Sequence, residues 1–181
     1  MATLRELGAV HGFEVEGIAL DGGPQVWSST YVRTCLAAGD VEGAAEALGR
    51  AVSLRGVVQR GDQRGRELGY PTANVPTRTT AVPADGVYAG WVRLLDEPDH
   101  EPLPAAISVG VNPTFAGERS RRVEAYVLDR DDLDLYDREV EVVFTKRLRG
   151  MLRFDSVDAL LEAMRDDVEH ARDVLTRDPA S

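Results

Sequence analysis

The chain has 181 residues, of which 43% are hydrophobic and 29% are charged, as in an ordinary globular protein. This length suits one ordinary domain with an appendage. With 21 Lys and Arg against 31 Asp and Glu, the net charge is −10. Nucleic acid is therefore not expected as a partner, because binding to phosphate backbones favours a basic surface.

The apolar runs are too short to cross a bilayer, and the N-terminus lacks a basic and then apolar leader pattern. These patterns predict a cytoplasmic protein without a membrane partner. Cys35 is the sole cysteine, so an intramolecular disulfide and a thiolate metal cage are both excluded.

Residues 1–50 differ in pattern from the rest. Apolar and polar residues alternate over residues 13–20, which predicts a strand. Ser28 or Ser29 can cap a helix that ends at Gly39, and Asp40 can cap a shorter one. Elements of this size cannot bury a core alone, so we interpret them as a small α/β remnant of a larger domain.

Residues 52–146 are mainly strand-like. The candidate strands are Val52–Gln59, Val87–Leu95, Ala105–Val109, Val123–Leu128 and Val140–Phe144. Several short strands with few helices between them favour a closed antiparallel barrel over a parallel sheet. A final helix, capped by Asp155 or Ser156, has an apolar stripe that is expected to pack on the barrel.

A glycine segment precedes the tetrad Pro71-Thr-Ala-Asn74. Gly61, Gly65 and Gly69 lie four residues apart. Glycines let backbone N–H groups approach an anion closely, and the oxygens of Thr72 and Asn74 suit Mg²⁺ and phosphates. The alternative is a turn-rich hairpin loop in which these two side chains only satisfy local backbone groups.

Two further segments carry polar residues with two possible roles each. Glu124 lies in the middle of the strand-like stretch 122–129, either as a solvent-facing side chain or as a general base for a hydroxyl nucleophile. Asn112 and Thr114 lie in the loop 110–117 and either shape a turn or line a binding site.

Taken together, these segments resemble the riboflavin kinase family, specifically the kinase module of bacterial bifunctional riboflavin kinase/FAD synthetases. The resemblance covers about residues 50–177. Its motifs are Gly65-Arg-Glu-Leu-Gly-Tyr-Pro-Thr-Ala-Asn74, Gly86-Val-Tyr-Ala89, Ser108-Val-Gly-Val-Asn-Pro-Thr-Phe115, Val123-Glu-Ala-Tyr126 with Asp129 and Leu135-Tyr136, and Leu148-Arg-Gly-Met-Leu-Arg-Phe-Asp-Ser156.

The resemblance implies a six-stranded antiparallel closed barrel with a C-terminal helix. It also implies phosphorylation of the riboflavin 5′-hydroxyl by ATP, with Mg²⁺, to give FMN and ADP. Thr72 and Asn74 match the residues that bind Mg²⁺ and nucleotide phosphates, and Glu124 matches the general base, which also contacts the flavin. The remaining implied contacts are Gly61, Gly65, Arg66 and Gly69 for ATP, and Arg149 and Arg153 for the flavin.

Residues 1–50 resemble the end of the FMN adenylyltransferase module of the same enzymes, and residues 51–181 the kinase domain. Ser28-Ser-Thr-Tyr-Val-Arg33 matches that module's nucleotide-binding motif, but its His-x-x-His-type partner is absent. We therefore expect a fragment or truncated chain with kinase activity and no FAD synthesis. The alternatives are a part of a bifunctional enzyme and a non-catalytic barrel that binds flavin or nucleic acid.

Overall fold

The computed structural model describes residues 2–17, 27–61, 65, 68–77, 81–111, 121–130 and 132–178. The helices in these ranges are α1 Ala2–His11, α2 Ser29–Ala38, α3 Val41–Leu48 and α4 Val157–Arg177. The strands are β1 Val52–Val57, β2 Thr72–Pro76, β3 Gly86–Leu94, β4 Leu103–Val111, β5 Arg121–Val127 and β6 Glu139–Arg149.

The six strands form one antiparallel sheet in the order β1-β6-β3-β4-β5-β2. Its two edge strands approach each other just beyond the end of β1, where the backbone N–H of Gln59 donates to the carbonyl oxygen of Asn74 at 2.8 Å. The sheet is thus a nearly closed barrel, which confirms the predicted fold class.

The barrel interior is filled by alternate residues of the strands. On β5, for example, Val123, Ala125 and Val127 are buried, whereas the residues between them are partly exposed. The largest interior side chains, Tyr88 and Phe144, pack edge to face with ring centroids 5.5 Å apart. The strand alternation in the sequence therefore does separate an interior face from an outer face.

Helix α4 covers part of the outer face, as its apolar stripe predicted. Ala171 and Leu175 form a second apolar cluster with Ala89 of β3 and Ala106 of β4. Small residues on the strands let the helix approach the sheet closely. The helix begins at the predicted cap, where the Ser156 hydroxyl accepts a hydrogen bond from Ala159 N at 3.1 Å.

Helices α2 and α3 also begin and end where the sequence predicted. Ser28 and Asp40 are their N-caps, with side-chain oxygens that accept backbone N–H groups at 3.1 and 2.8 Å. Gly39 and Gly49 end them in the left-handed conformation, with φ of 79° and 65°. Glycine adopts this conformation without the Cβ strain that other residues meet.

These two helices are part of the barrel core. Leu36 and Val41 are 7% and 1% exposed and belong to the same cluster as the strand interiors. Ala84 N donates to Leu36 O at 2.8 Å, just before β3 begins. Packing among the described residues is therefore continuous across the predicted boundary at residue 50, and the division into two domains stays a prediction.

Two elements differ from the sequence-based expectations. Residues 13–17 of the strand predicted at 13–20 are not in a strand, and residues 18–20 lie outside the described residues; helix α1 comes before them instead. Strand β2 was not predicted, because its range ends in Pro76 and follows Pro71. Proline is tolerated there because β2 lies at the edge of the sheet.

In the ranges that the structure describes, no helix is both long and apolar enough to span a membrane.

Candidate active site

Three of the predicted site residues lie in one row of paired residues that passes from strand to strand around the barrel wall. The antiparallel register pairs Asn74 of β2 with Glu124 of β5, then Ser108 of β4, Val87 of β3 and Arg149 of β6. We call these five residues the cross-barrel row. Paired residues on neighbouring strands have Cβ atoms roughly 4.5–5.5 Å apart, so the Asn74 and Glu124 side chains are direct neighbours.

The side chains of Thr72, Asn74 and Glu124 share the outer face of the barrel. Ala73 and Val75, between and beyond the first two, are buried in the core. Thr72 pairs with Tyr126, one outward position beyond Glu124, so Thr72 and Glu124 are diagonal neighbours. The tetrad therefore acts as a strand that presents two oxygen donors beside a carboxylate, rather than as a hairpin loop.

The glycine segment packs onto this strand. A Cβ atom on Gly61 would lie 2.5 Å from Nδ2 of Asn74, and one on Gly65 would collide with the carbonyl oxygen of Tyr70. Gly69 adopts a φ of +85°. A side chain at any of these three positions would therefore meet a steric clash or an unfavourable backbone conformation. The absence of side chains at Gly61 and Gly65 lets the segment lie directly against the predicted phosphate-binding residues. Arg66 lies outside the described residues.

The segment is held near the strand by backbone and ring contacts. Tyr70 N donates to Gly65 O at 2.7 Å, which closes a turn. The Tyr70 ring packs edge to face on Tyr126 of β5 with centroids 5.2 Å apart. These contacts place the glycine segment over the same end of β2 and β5 that carries Thr72.

Asn74 has an unusual electrostatic environment. Its Oδ1 atom is buried and has no hydrogen-bond partner among the described residues. An unpaired buried acceptor is unfavourable by about 1–3 kcal/mol, so this atom is a candidate for contact with a water, a cation or another ligand. No cluster of three or more His, Cys, Asp or Glu able to hold a metal occurs among the described residues.

A cavity of about 310 Å³ opens beside Thr72. Thr72 and Ala73 form one wall, and the segment between β5 and β6 forms the other. The guanidinium of Arg60 lies 5.2 Å from the ring centroid of Tyr136 at its rim. Residue-by-residue reasoning missed this cavity, although Thr72 and the motif Leu135-Tyr136 both line it.

The two arginines predicted on the flavin side differ in their environment. Arg149 donates from Nε to Asp167 Oδ1 at 2.7 Å and from Nη2 to Oδ2 at 2.6 Å. Arg153 is exposed in the irregular segment between β6 and α4. Asn112 and Thr114, in the loop after β4, lie outside the described residues.

The N-terminal nucleotide motif lines a separate, open cavity of about 360 Å³. Ser28, the N-cap of α2, lines it together with Ser29 and Arg33 of α2 and Leu48 of α3. The structure thus brings most of the motif together, on a surface formed by α2 and α3 rather than by the cross-barrel row.

A larger cavity of about 960 Å³ lies on the outer face of β1, β6 and β3. Its central carboxylate, Glu141, accepts hydrogen bonds from Ser53 and Arg55 at 2.9 and 3.1 Å and lies 3.6 Å from Arg93. This cavity contains none of the predicted site residues, and its central carboxylate is already paired with Ser53, Arg55 and Arg93. We therefore place the candidate active site at the cross-barrel row.

Comparison with known proteins identifies the family of the chain. Residues 48–175 match the family described as Flavokinase, riboflavin kinase. The bifunctional riboflavin kinase/FMN adenylyltransferase of Pseudomonas fluorescens is 41% identical over 172 residues, which are 93% of this chain and 53% of that protein. The chain spans about half the length of the curated relatives it matches.

Solved structures show the same fold. A riboflavin kinase from Trypanosoma brucei superimposes with a TM-score of 0.52 at 28% identity, over 70% of this chain and 80% of that one. A protein from Streptococcus pneumoniae gives a TM-score of 0.77 at 36% identity, over 93% and 54% of the two chains. That protein is described as a macrolide-efflux protein, whereas the other relatives named here are described as riboflavin kinases. On the family match to most of its length, this chain belongs to the riboflavin kinase family.

Proposed function

We propose that the chain transfers the γ-phosphoryl group of ATP to the 5′-hydroxyl of riboflavin and releases FMN and ADP. The ribityl oxygen forms the new bond to phosphorus, the bond to the β–γ bridging oxygen breaks, and its electron pair leaves with ADP. The observation that carries the proposal is the cross-strand pair of Asn74 and Glu124, which sets a carboxylate beside a phosphate-binding strand.

Glu124 is the general base of this reaction. It takes the proton of the ribityl hydroxyl as the oxygen attacks phosphorus. Its position on a central strand, paired on both sides with Asn74 and Ser108, holds the carboxylate on a rigid element. Rigid placement matters because phosphoryl transfer depends mainly on positioning and charge stabilisation.

Thr72 and Asn74 would hold the nucleotide phosphates and a divalent cation, with Mg²⁺ as the metal their chemistry fits. The unpaired, buried Oδ1 of Asn74 is the observation that supports this fit. Mg²⁺ binds few protein oxygens and keeps waters and substrate phosphates as ligands, so no carboxylate cage is required. When bound, the cation would neutralise negative charge on the phosphates.

The glycine segment would bind the ATP phosphates through its backbone N–H groups. The absence of side chains at Gly61 and Gly65 lets that backbone approach Asn74 and Thr72. Gly69 and Arg66 complete the predicted ATP contacts. Arg149, the last residue of the row, and Arg153, in the segment after β6, are proposed to face the flavin.

The test is to incubate the purified chain with riboflavin, ATP and Mg²⁺ and to separate the flavins by chromatography. We expect FMN and no FAD. Formation of FAD would contradict the predicted absence of FMN adenylyltransferase activity. Bound riboflavin that is never phosphorylated would contradict the kinase proposal and leave a flavin-binding module. The cytoplasmic location, which was inferred from the sequence, also stays a prediction.

A further inference from the structure

Tyr126 lies beside the candidate active site, two residues after Glu124 on the same outer face of β5. The register pairs it with Thr72 of β2 on one side and with Ala106 of β4 on the other. Its ring therefore lies between the strand proposed to bind phosphate and the part of the sheet that α4 covers. No step of the proposed reaction uses this side chain.

Helix α4 and the barrel together determine where the Tyr126 ring lies. The ring packs against the apolar cluster that α4 forms with the barrel, whose buried members are Ala89, Ala106, Leu128, Ala171 and Leu175. Tyr126 is only partly buried, so it lies at the edge of this cluster rather than within it. A side chain that is packed in this way on a helix and a sheet is held more precisely than one on a loop.

Tyr126 also contacts the residue that follows the last glycine of the glycine segment. The Tyr70 ring packs edge to face on it, with centroids 5.2 Å apart and an interplanar angle of 64°. Tyr70 N donates to Gly65 O at 2.7 Å, and a Cβ atom on Gly65 would lie 3.7 Å from Oγ1 of Thr72. The Tyr70 ring is therefore joined through one turn to the backbone that lies beside the proposed phosphate-binding hydroxyl.

A role in packing α4 alone does not account for both contacts. Tyr70 is not among the described residues that form or adjoin the α4 cluster. It comes two residues before Thr72, the paired residue of Tyr126, so it approaches Tyr126 from a diagonal position. Diagonal neighbours on paired strands lie roughly 7–8 Å apart, a distance that aromatic side chains span and small ones do not.

From these contacts we infer that Tyr126 is a positioning residue for ATP, which holds Tyr70 and thereby keeps the glycine segment beside Thr72. The inference rests on the proposed function, in which that segment binds the ATP phosphates. Tyr126 acts through Tyr70, and the inference assigns it no contact with the substrate.

The experiment compares Tyr126→Leu and Tyr126→Phe with the matched control Trp91→Leu. Trp91 also packs, partly buried, against the α4 cluster, but it lies on β3, two strands from β5. Steady-state assays give kcat and KM for both substrates, and urea unfolding gives the stability of each variant.

For Tyr126→Leu we expect the KM for ATP to rise about three- to tenfold, as for loss of an aromatic pair, with kcat and the KM for riboflavin within about twofold. Tyr126→Phe keeps the ring and should have the wild-type KM for ATP. Trp91→Leu should lose stability without a change in the KM for ATP.

A double-mutant cycle tests whether Tyr126 acts through Tyr70. Tyr70→Leu should raise the KM for ATP as much as Tyr126→Leu does, and the double variant should be no worse than either, because all three lose the same contact. A wild-type KM for ATP in Tyr126→Leu, additive effects in the double variant, or an equal rise in Trp91→Leu would each overturn the inference.

Trypsin provides a readout that does not depend on catalysis. It cleaves after arginine, and Arg60, Arg64 and Arg66 lie in or beside the glycine segment. We expect faster cleavage there in Tyr126→Leu than in the wild type or Trp91→Leu, since a segment released from its contacts is more open to proteases. Wild-type chain that forms no FMN would refute the kinase proposal, whereas equal cleavage of the three chains would overturn the positioning role of Tyr126.

Discussion

Three carboxylates of the barrel and its helix show how the environment assigns different roles to one chemical group. Glu141 is enclosed by two arginines and a serine hydroxyl. Asp167 is held by a single bidentate arginine. Glu124 is paired with Asn74 and Ser108 in the strand register. Of the three, Glu124 is the carboxylate that we propose as the general base, because its pairing with Asn74 sets it beside the proposed phosphate-binding strand.

Substitution Glu124→Gln tests the base directly. We expect kcat to fall by about 10²–10⁴-fold, the usual contribution of general-base catalysis, while the KM for ATP changes by less than about threefold. Steady-state FMN formation provides both values. The control is Glu139→Gln, an exposed carboxylate at the start of β6, which should retain full activity. A Glu124→Gln enzyme with normal kcat would refute the assignment.

Substitution Gly61→Ala tests the contact between the glycine segment and β2. The added methyl would lie 2.5 Å from Nδ2 of Asn74, so the segment or the amide must move. We expect kcat/KM for ATP to fall at least about tenfold, because misplaced groups weaken transition-state binding. The KM for riboflavin in the same variant is the internal control. Equal losses for both substrates would indicate general disruption instead.

Glu141 gives the protein a predictable response to acid. Burial opposes ionisation of Glu141, but hydrogen bonds from Arg55 and Ser53 and the charge of Arg93 outweigh it and lower the pKa of the carboxyl. A carboxyl with a lowered folded pKa stabilises the fold above its unfolded pKa, about 4.3, and loses that contribution as pH falls through the folded pKa.

We therefore expect the free energy of unfolding of Glu141→Gln to lie below that of the wild type at pH 7. The difference should shrink as the pH falls below about 4. Urea unfolding at a series of pH values measures it, with Glu139→Gln as a control whose difference stays small throughout. A difference independent of pH would mean that the Glu141 carboxylate is not the group responsible.

Among the elements, α2 is joined to the barrel at its C-terminal end by one arginine, in addition to its buried side chains. Arg147 of β6 donates to the carbonyl oxygens of Ala38 and Asp85 at 2.8 and 2.9 Å. Its guanidinium lies 6.0 Å from the ring centroid of Tyr88 inside the barrel. Gly39 completes the contact, since a Cβ there would lie 2.8 Å from both the guanidinium and the Tyr88 hydroxyl. The end of α2 and the start of β3 are thereby joined.

Substitution Arg147→Met should therefore destabilise the protein by about 2–4 kcal/mol, because two charged hydrogen bonds are lost and their carbonyl acceptors remain. The neighbouring Lys146→Met is the matched control. Among the described residues, Lys146 pairs with an exposed carboxylate, Glu42, at 3.4 Å, and its removal should change stability by less than about 1 kcal/mol. Chemical denaturation of both variants measures the difference, and similar values for the two would refute this attachment.

At the scale of the whole molecule, the barrel and the helices before it share one core. Residues 35–44 supply four buried side chains to the main cluster, whereas the described part of residues 2–17 supplies none. Burial of a large aliphatic side chain contributes roughly 1.5–3 kcal/mol, so α2 and α3 supply a substantial fraction of the free energy of unfolding of a small domain.

Two truncations test this. A chain of residues 27–181 should unfold cooperatively near the temperature of the whole chain, because it keeps α2 and α3. A chain of residues 51–181 retains every strand but should melt at a much lower temperature and bind a hydrophobic dye, because the end of its barrel is uncovered. Thermal melts by circular dichroism decide the matter, and equal melting temperatures for the two chains would contradict a shared core.

Local sequence alone predicted helix caps at Ser28 or Ser29, at Asp40 and at Asp155 or Ser156, the positions of five strands and the barrel class, because capping and strand alternation involve residues close in the chain. Thr72, Asn74 and Glu124 were predicted as site residues only with the family resemblance, since a polar residue in mid-strand is usually just exposed. Tertiary structure alone decided the edge strand β2, the cross-barrel row, the Asp167–Arg149 pair and the place of α2 in the core. These depend on register and packing between segments far apart in sequence, which local periodicity does not specify.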